Sequence, residues 1–422
     1  MIMAEGARAE APRSYALVSA LTYMMFFMFA MTTDAVGEII KIARGQMGLT
    51  NTQASAFHWS TMVAIAVSGM FLGFLADRFG RKRAIILGLV VYGAASALFF
   101  AGDSFSLYLS LLFVSGLAIG VFKTAALALI GDLASSTGNH TRRMNAVEGF
   151  FGVGAIVGPL LVVYLGGRGI DWTWLYLIAA GLCAVMVCAA LFSDYPRPKL
   201  AAATPPSPLQ AIRLLRDPHA LGFSIAIAMY VACEVAVFVW LPTFLEGYTG
   251  GRIDMWFAAY AVMIFFVLRA AGRFLGVWIL AKAKWTVVMA IFSAVIFACF
   301  LASVIFGQRV ALIVLPASGL VMSMIYPTLN SKGISCQPKA RHGAVAGLIL
   351  FFTAGSAALA PLAMAFVADI FGSGDMRAGF VLATAFAGAL FAVCLWNWRF
   401  DPAAAALSAA DREDYSAHGT TL

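Results

Sequence analysis

Long apolar runs separated by short polar breaks recur along the whole chain. At the ~20 residues a helix needs to cross hydrocarbon, they predict twelve membrane-spanning helices. The predicted spans lie at 14–40, 52–76, 84–101, 104–132, 143–165 and 172–192, then at 219–247, 254–280, 285–307, 309–332, 341–369 and 377–399. Between the two sets of six, Ser193 to Asp217 holds Pro196, Pro198, Pro205, Pro206 and Pro208 among Arg197, Lys199, Arg213 and Arg216. A proline-rich basic segment cannot span a membrane and reads as a linker between two bundles. The expected organisation is an amino-terminal tail (1–13), a six-helix bundle (14–192), a linker (193–218), a second six-helix bundle (219–399) and a carboxy-terminal tail (400–422).

Composition strengthens this all-α membrane reading. Hydrophobic residues make up 62%, charged residues 11%, and the mean hydropathy is +0.90, whereas a soluble domain carries roughly a quarter charged residues. The formal charge of +8 does not imply nucleic acid, because most of the bases fall in alternate loops. That distribution predicts both termini in the cytoplasm of a bacterial-type inner membrane. Met1 to Arg13 is polar and runs into an apolar segment too long for a signal-peptide core, so the first span is expected to be retained. Cys183, Cys188, Cys233, Cys299, Cys336 and Cys394 show no metal or disulfide spacing and read as small buried hydrophobes. No catalytic triad, phosphate-cradling loop or nucleotide site is visible, so the expectation is a non-enzyme without cofactor or metal, and a monomer in the bilayer.

The densest charge lies in G-F-L-A-D-R-F-G-R-K-R, Gly73 to Arg83, between the second and third spans. Gly73 and Gly80 permit close approach and a sharp turn, and Asp77, Arg78 and Arg81 can pair with one another or with a helix end. A fainter echo, Gly272, Arg273, Gly276 and Lys282, closes the eighth span, which assigns Arg273 to the same cytoplasmic loop network. Gly149, Gly152, Gly154 and Gly158, with Pro159, mark the fifth span as close-packed.

An ionisable side chain inside a span costs about 2.5 to 3.5 kcal/mol even on lenient scales, so each needs a partner, a wet cavity or a function. Asp34, Lys123, Glu148, Glu234 and Arg269 are such residues, and they are expected to face a watery chamber between the two bundles. Lys123 and Glu148, on consecutive helices, can meet as a packing pair or as working groups. Arg269 either binds a solute carboxylate or pairs with Glu234. Asp34 either titrates in an outer cavity or caps the frayed end of its helix beside Glu38 and Lys41. His58 is either a hydrogen-bonded core residue or a ligand contact.

The G-x-L-x-D-R-x-G-R-K loop resembles the loop between helices 2 and 3 of the major facilitator superfamily. F-F-V-L-R-A-A-G-R-F-L-G-V-W-I-L, ending at Leu280, and M-S-M-I-Y-P-T-L-N-S-K-G-I, from Met322 to Ile334, narrow the likeness to its fucose-galactose-glucose:proton symporter family. The resemblance implies two six-helix bundles, alternating access, and a solute site near midplane with Asn330 as a candidate contact. In that family an aspartate in helix 1 and a glutamate in helix 4 take part in proton coupling, and a helix-5 glutamine contacts sugar. Asp34 matches the first, but Lys123 stands where the glutamate would be and Glu148 where the glutamine would be. The implied proton carriers are therefore Asp34 and Glu148, and the solute a sugar, neutral or anionic. The alternative is an exporter of organic anions or drugs, disfavoured because Leu160 and Leu161 replace the glycine pair that follows G-P in the exporter signature. A non-transporting receptor would call for large soluble domains or long tails, which the chain does not show.

Overall fold

Within hydrocarbon every backbone N–H and C=O must be bonded inside its own segment, and the apolar runs accordingly fold as helices. The computed structural model describes residues 15–49, 51–196, 213–245, 248–372 and 375–415. Its long helices are α1 (Ala16–Thr33), α2 (Asn51–Leu72), α3 (Arg81–Ala97), α4 (Phe105–Asp132), α5 (Thr137–Gly167) and α6 (Trp174–Leu191). The second set is α7 (Pro218–Trp240), α8 (Arg252–Lys282), α9 (Trp285–Phe306), α10 (Gln308–Ser335), α11 (His342–Phe371) and α12 (Met376–Phe400). Among the described residues, eleven helices meet the length and hydropathy of a span, and α2, apolar over Ala56–Leu72, is the twelfth. Most of the proline-rich linker lies outside the described residues.

Three spans are broken, each with a local cause. The predicted 14–40 span stops at Thr33, turns at Asp34 and Ala35, and resumes as the helix Val36–Met47. Just before the break, the Thr32 hydroxyl donates to Phe29 O (2.9 Å) and the Thr33 hydroxyl to Phe29 O (3.0 Å), bonds that compete with the regular ladder. In α10 the helix lapses at Ser323 and Met324, four residues before Pro327, which has no N–H to bond back to Ser323. In α7 the last turn, Ala236–Trp240, widens to a π-helix ahead of Pro242.

Within the first half, α1 packs on α5, α4 on α2 and α3, and α6 on α3; within the second, α7 packs on α11, α10 on α8 and α9, and α9 on α12. Two seams join the halves, α2 with α11 and α5 with α8. Glycines make both close. A side chain at Gly73 would meet Gly347 Cα at 3.0 Å and Gly343 O at 3.1 Å, and one at Gly152 would meet Ala270 Cβ at 3.1 Å. After α12 the chain forms a short helix, Ala404–Ala410, and returns Asp411 to the first half. There its carboxylate accepts from Thr137 N (2.7 Å) and the Thr137 hydroxyl (3.1 Å) at the start of α5. The perimeter exposes apolar side chains such as Val185, Trp278, Ile313 and Phe366, as a lipid-facing surface requires. Of the cysteines, Cys183, Cys233 and Cys394 are buried as expected, whereas Cys188 is exposed and Cys299 and Cys336 are half-buried. Cys188 and Cys299 sit on helix faces turned away from the core, and Cys336 caps the end of α10.

Candidate functional site

Six charged side chains from both halves converge where α1, α4 and α5 face α7 and α8. Arg269 on α8 forms an ion pair with Glu234 on α7, so of the two alternatives for Arg269 this structure adopts the pair. Tyr230, one turn earlier on α7, donates its hydroxyl to Glu234 Oε1 (2.9 Å). Arg273, four residues beyond Arg269 and so on the same helix face, crosses the α5–α8 seam. Its Nη1 donates to Glu148 O (2.7 Å), and its Nη2 lies 3.4 Å from Glu148 Oε2. This corrects two expectations: Glu148 pairs with Arg273 rather than Lys123, and Arg273, fully buried, belongs to the centre rather than to the loop network.

Lys123 has no ion pair among the described residues. Its ammonium sits among three rings, 4.4 Å from the centroid of Phe29, 5.4 Å from Phe151 and 5.6 Å from Phe26. Phe151 is shared, with the guanidinium of Arg273 at 5.3 Å and that of Arg269 at 6.0 Å. Asp34, at the α1 break, lies within electrostatic reach of Arg269, Glu234, Arg273 and Lys123, yet among the described residues it has no ion pair and its buried Oδ2 no hydrogen bond. It is thus part of the centre, not merely the cap of a frayed helix end. The expected wet chamber needs correction too. The charges do face the junction of the halves, but Lys123 is only 5% exposed and Glu148 2%, because rings and paired charges fill the space around them.

The centre is not fully satisfied. Asp34 Oδ2, Glu148 Oε1, Arg269 Nε and Arg273 Nε are buried without a protein partner. Each buried unsatisfied polar group costs about 1 to 3 kcal/mol, so the cluster presents both donors and acceptors that a hydroxylated ligand or water would satisfy.

The Gly73–Gly80 loop behaves differently. Gly80, with φ +85°, turns the chain into α3 in the left-handed region. Asp77 accepts from Gly343 N and Ala344 N (both 3.0 Å), the first amides of α11 in the other half. Arg81 pairs with Asp77, donates from Nε to Asp132 Oδ2 (2.8 Å) and reaches across to Lys339 O (2.9 Å). Nearby, Thr141 meets Ser331 (3.0 Å) and His140 meets Ser335 (2.6 Å), again from half to half. Among the described residues, the polar and ring contacts between halves lie from this loop end up to the level of Phe151 and Arg269. The molecule is closed on one side of the charged centre. Arg78, expected in the network, is exposed beside the Phe79 ring and takes no part.

His58 stands apart. It borders a small pocket in the first half, with Thr32, Thr61, Tyr92, Ser115 and Tyr176, and none of the central charges lines it. Residues that sequence reasoning passed over include Tyr230, Phe151 and Asp132. Tyr230 had a signal, a phenol four residues before an intramembrane acid.

Two six-helix halves closed at one end around a buried, balanced set of charges define a two-bundle membrane protein of the alternating-access type of architecture. The chain belongs to the Major Facilitator Superfamily, whose family model matches residues 15–361. It is 24% identical over 398 residues to the L-fucose-proton symporter of Escherichia coli, covering 86% of this chain and 89% of that protein. It is also 24% identical to a glucose/galactose transporter of Brucella abortus over 374 residues, 85% of this chain and 90% of the other. A Bacillus subtilis multidrug resistance protein aligns over only 38% of this chain and 40% of its own length, at 24% identity. A solved structure of the E. coli fucose:proton symporter superposes with a TM-score of 0.75 at 21% identity, over 91% of this chain and 99% of that one.

Proposed function

We propose that this protein is a secondary active transporter that imports a sugar-class solute with protons by alternating access, as a monomer in the bacterial inner membrane. The observation that carries the reading is the unsatisfied polar lining between the halves. Donors and acceptors at the end of α1 and on α5 and α8 are buried without partners around the charged centre, a pattern suited to a many-hydroxyl solute. Near full-length likeness to a fucose-proton symporter and to glucose/galactose transporters supports the solute class and the coupling ion.

In this reading Asp34 and Glu148 are the proton carriers, because each has a buried carboxylate oxygen without a hydrogen bond. Lys123, Arg269, Glu234 and Asn330 line the solute site, with Glu148 shared between both roles; His58 serves a separate pocket. Gly73, Asp77, Gly80 and Arg81 form a gate on the cytoplasmic side, a sidedness supported by the excess of bases at that end. With that gate shut, the site would be served from the outer face. The linker at 193–218 would join two bundles that rock against each other.

Uptake into proteoliposomes of purified protein, with and without an imposed pH gradient and over a panel of hexoses, deoxyhexoses and sugar acids, tests the reading. Uptake of one of these solutes driven by an alkaline interior is expected. Uptake that ignores the gradient would remove proton coupling.

A further inference from the structure

The charged centre holds three acids, Asp34, Glu148 and Glu234, and three bases, Lys123, Arg269 and Arg273. Two acid–base pairs are closed, Arg269 with Glu234 and Arg273 with Glu148. One acid and one base remain without a direct partner, Asp34 and Lys123. A ring face offsets only part of the cost of burying an ammonium ion. The rings around Lys123 do not replace a direct ion pair, and Glu148 and Asp34 act on it only across space. The Nε atoms of Arg269 and Arg273 add buried donors without acceptors in the same region.

We propose that the central site carries a monoanionic sugar derivative, a hexuronate or aldonate, together with one proton, so that each loaded passage moves no net charge. The inference rests on the symport reading above and names its solute. The charge count supplies the coupling rule. Empty and fully ionised, the centre sums to zero. A proton on Asp34, which faces Arg269, Glu234, Arg273 and Lys123, brings it to +1; an anion beside Lys123 brings it to −1; the two together restore zero. Both half-loaded forms bury an uncompensated charge as the halves close, and only the empty and doubly loaded forms avoid it. A neutral sugar with a proton would leave +1, and a sugar phosphate dianion with one proton would leave −1.

The test uses the full-length protein in proteoliposomes with a fixed pH gradient, alkaline inside, and a potential set by potassium and valinomycin. D-galacturonate, D-gluconate, D-galactose and D-galactose 6-phosphate are the probes. A cycle moving one positive charge would change its accumulation by about 50-fold per 100 mV. Accumulation of galacturonate or gluconate that collapses with the pH gradient but shifts less than 2-fold on adding 100 mV, inside negative, is the expected result. Lys123→Met should raise KM for the acid at least 10-fold while Lys123→Arg keeps it within 3-fold. Proton-driven galactose uptake that rises with potential and is not inhibited by either acid would overturn the proposal while leaving the symport reading intact. Preference for the phosphate would also overturn it. No pH-driven uptake of any probe would remove both.

Discussion

The loop-end gate and the charged centre are built from the same residue types, and they are finished to different degrees. At the gate, Arg81 spends its guanidinium on Asp77, Asp132 and the carbonyls of Ala76 and Lys339, and both oxygens of Asp77 accept amides from α11. At the centre, two closed ion pairs sit beside a carboxylate and an ammonium that touch no opposite charge, and buried guanidinium atoms go unmatched. A polar network satisfied by its own protein holds one arrangement; one left incomplete is ready for something else to finish it. The first is a lock, the second a receptor.

That contrast can be broken in several places. The largest effect is expected from Arg269→Met, which strands Glu234 in a dry interior. Removing one partner of a buried pair costs about 3 to 5 kcal/mol, so uptake should fall below 1% and thermal unfolding should drop by several degrees. Adding Glu234→Gln should recover the unfolding temperature but not the uptake, and recovery of both would make the pair structural. Asp77→Asn comes next, since it takes a charge from the α11 amino terminus worth up to ~2 kcal/mol. In a background lacking native cysteines, maleimide labelling of Ser331→Cys should accelerate about 10-fold as the gate loosens. Unchanged labelling would mean that the seam, not the charge, keeps this end shut. Gly347→Ala separates those two contributions, because its new methyl group would press into the backbone of Gly69. An overpacked seam costs roughly 1 to 3 kcal/mol, and the same labelling should rise several-fold. The smallest effect belongs to Arg78→Gln. This side chain is exposed and outside both networks, so uptake should stay within 2-fold of the parent.

Much of the architecture was readable because bilayer thickness fixes helix length, and the loop motif stood out as charge in an apolar chain. The breaks in α1 and α10 were readable only in part. Thr32, Thr33 and Pro327 carry the chemistry that interrupts them, but apolar windows average over it. Depth along a helix identified Lys123, Glu148, Glu234 and Arg269 as a set worth watching. It could not say which faced which. Neighbouring helices suggested Lys123 with Glu148, yet the glycine seam between α5 and α8 brings Arg273 to Glu148 first, a contact between residues 125 positions apart. The four-residue spacing of Arg269 and Arg273, which puts both on one face of α8, was the available clue. The motif-like glycine beside Arg273 pointed toward the loop instead. For His58, composition gave no direction at all, and only the packing of α1, α2, α3, α4 and α6 assigns it to its own pocket.

The hold that Asp411 keeps on the first turn of α5 ties the segment that follows α12 to the opposite half of the molecule. Any rocking that draws those halves apart at this end must stretch or release that strap, so the Asp411 contact is expected to report which way the carrier faces. A dye on Glu413, exposed just past the clasp, would brighten and dim with each turnover.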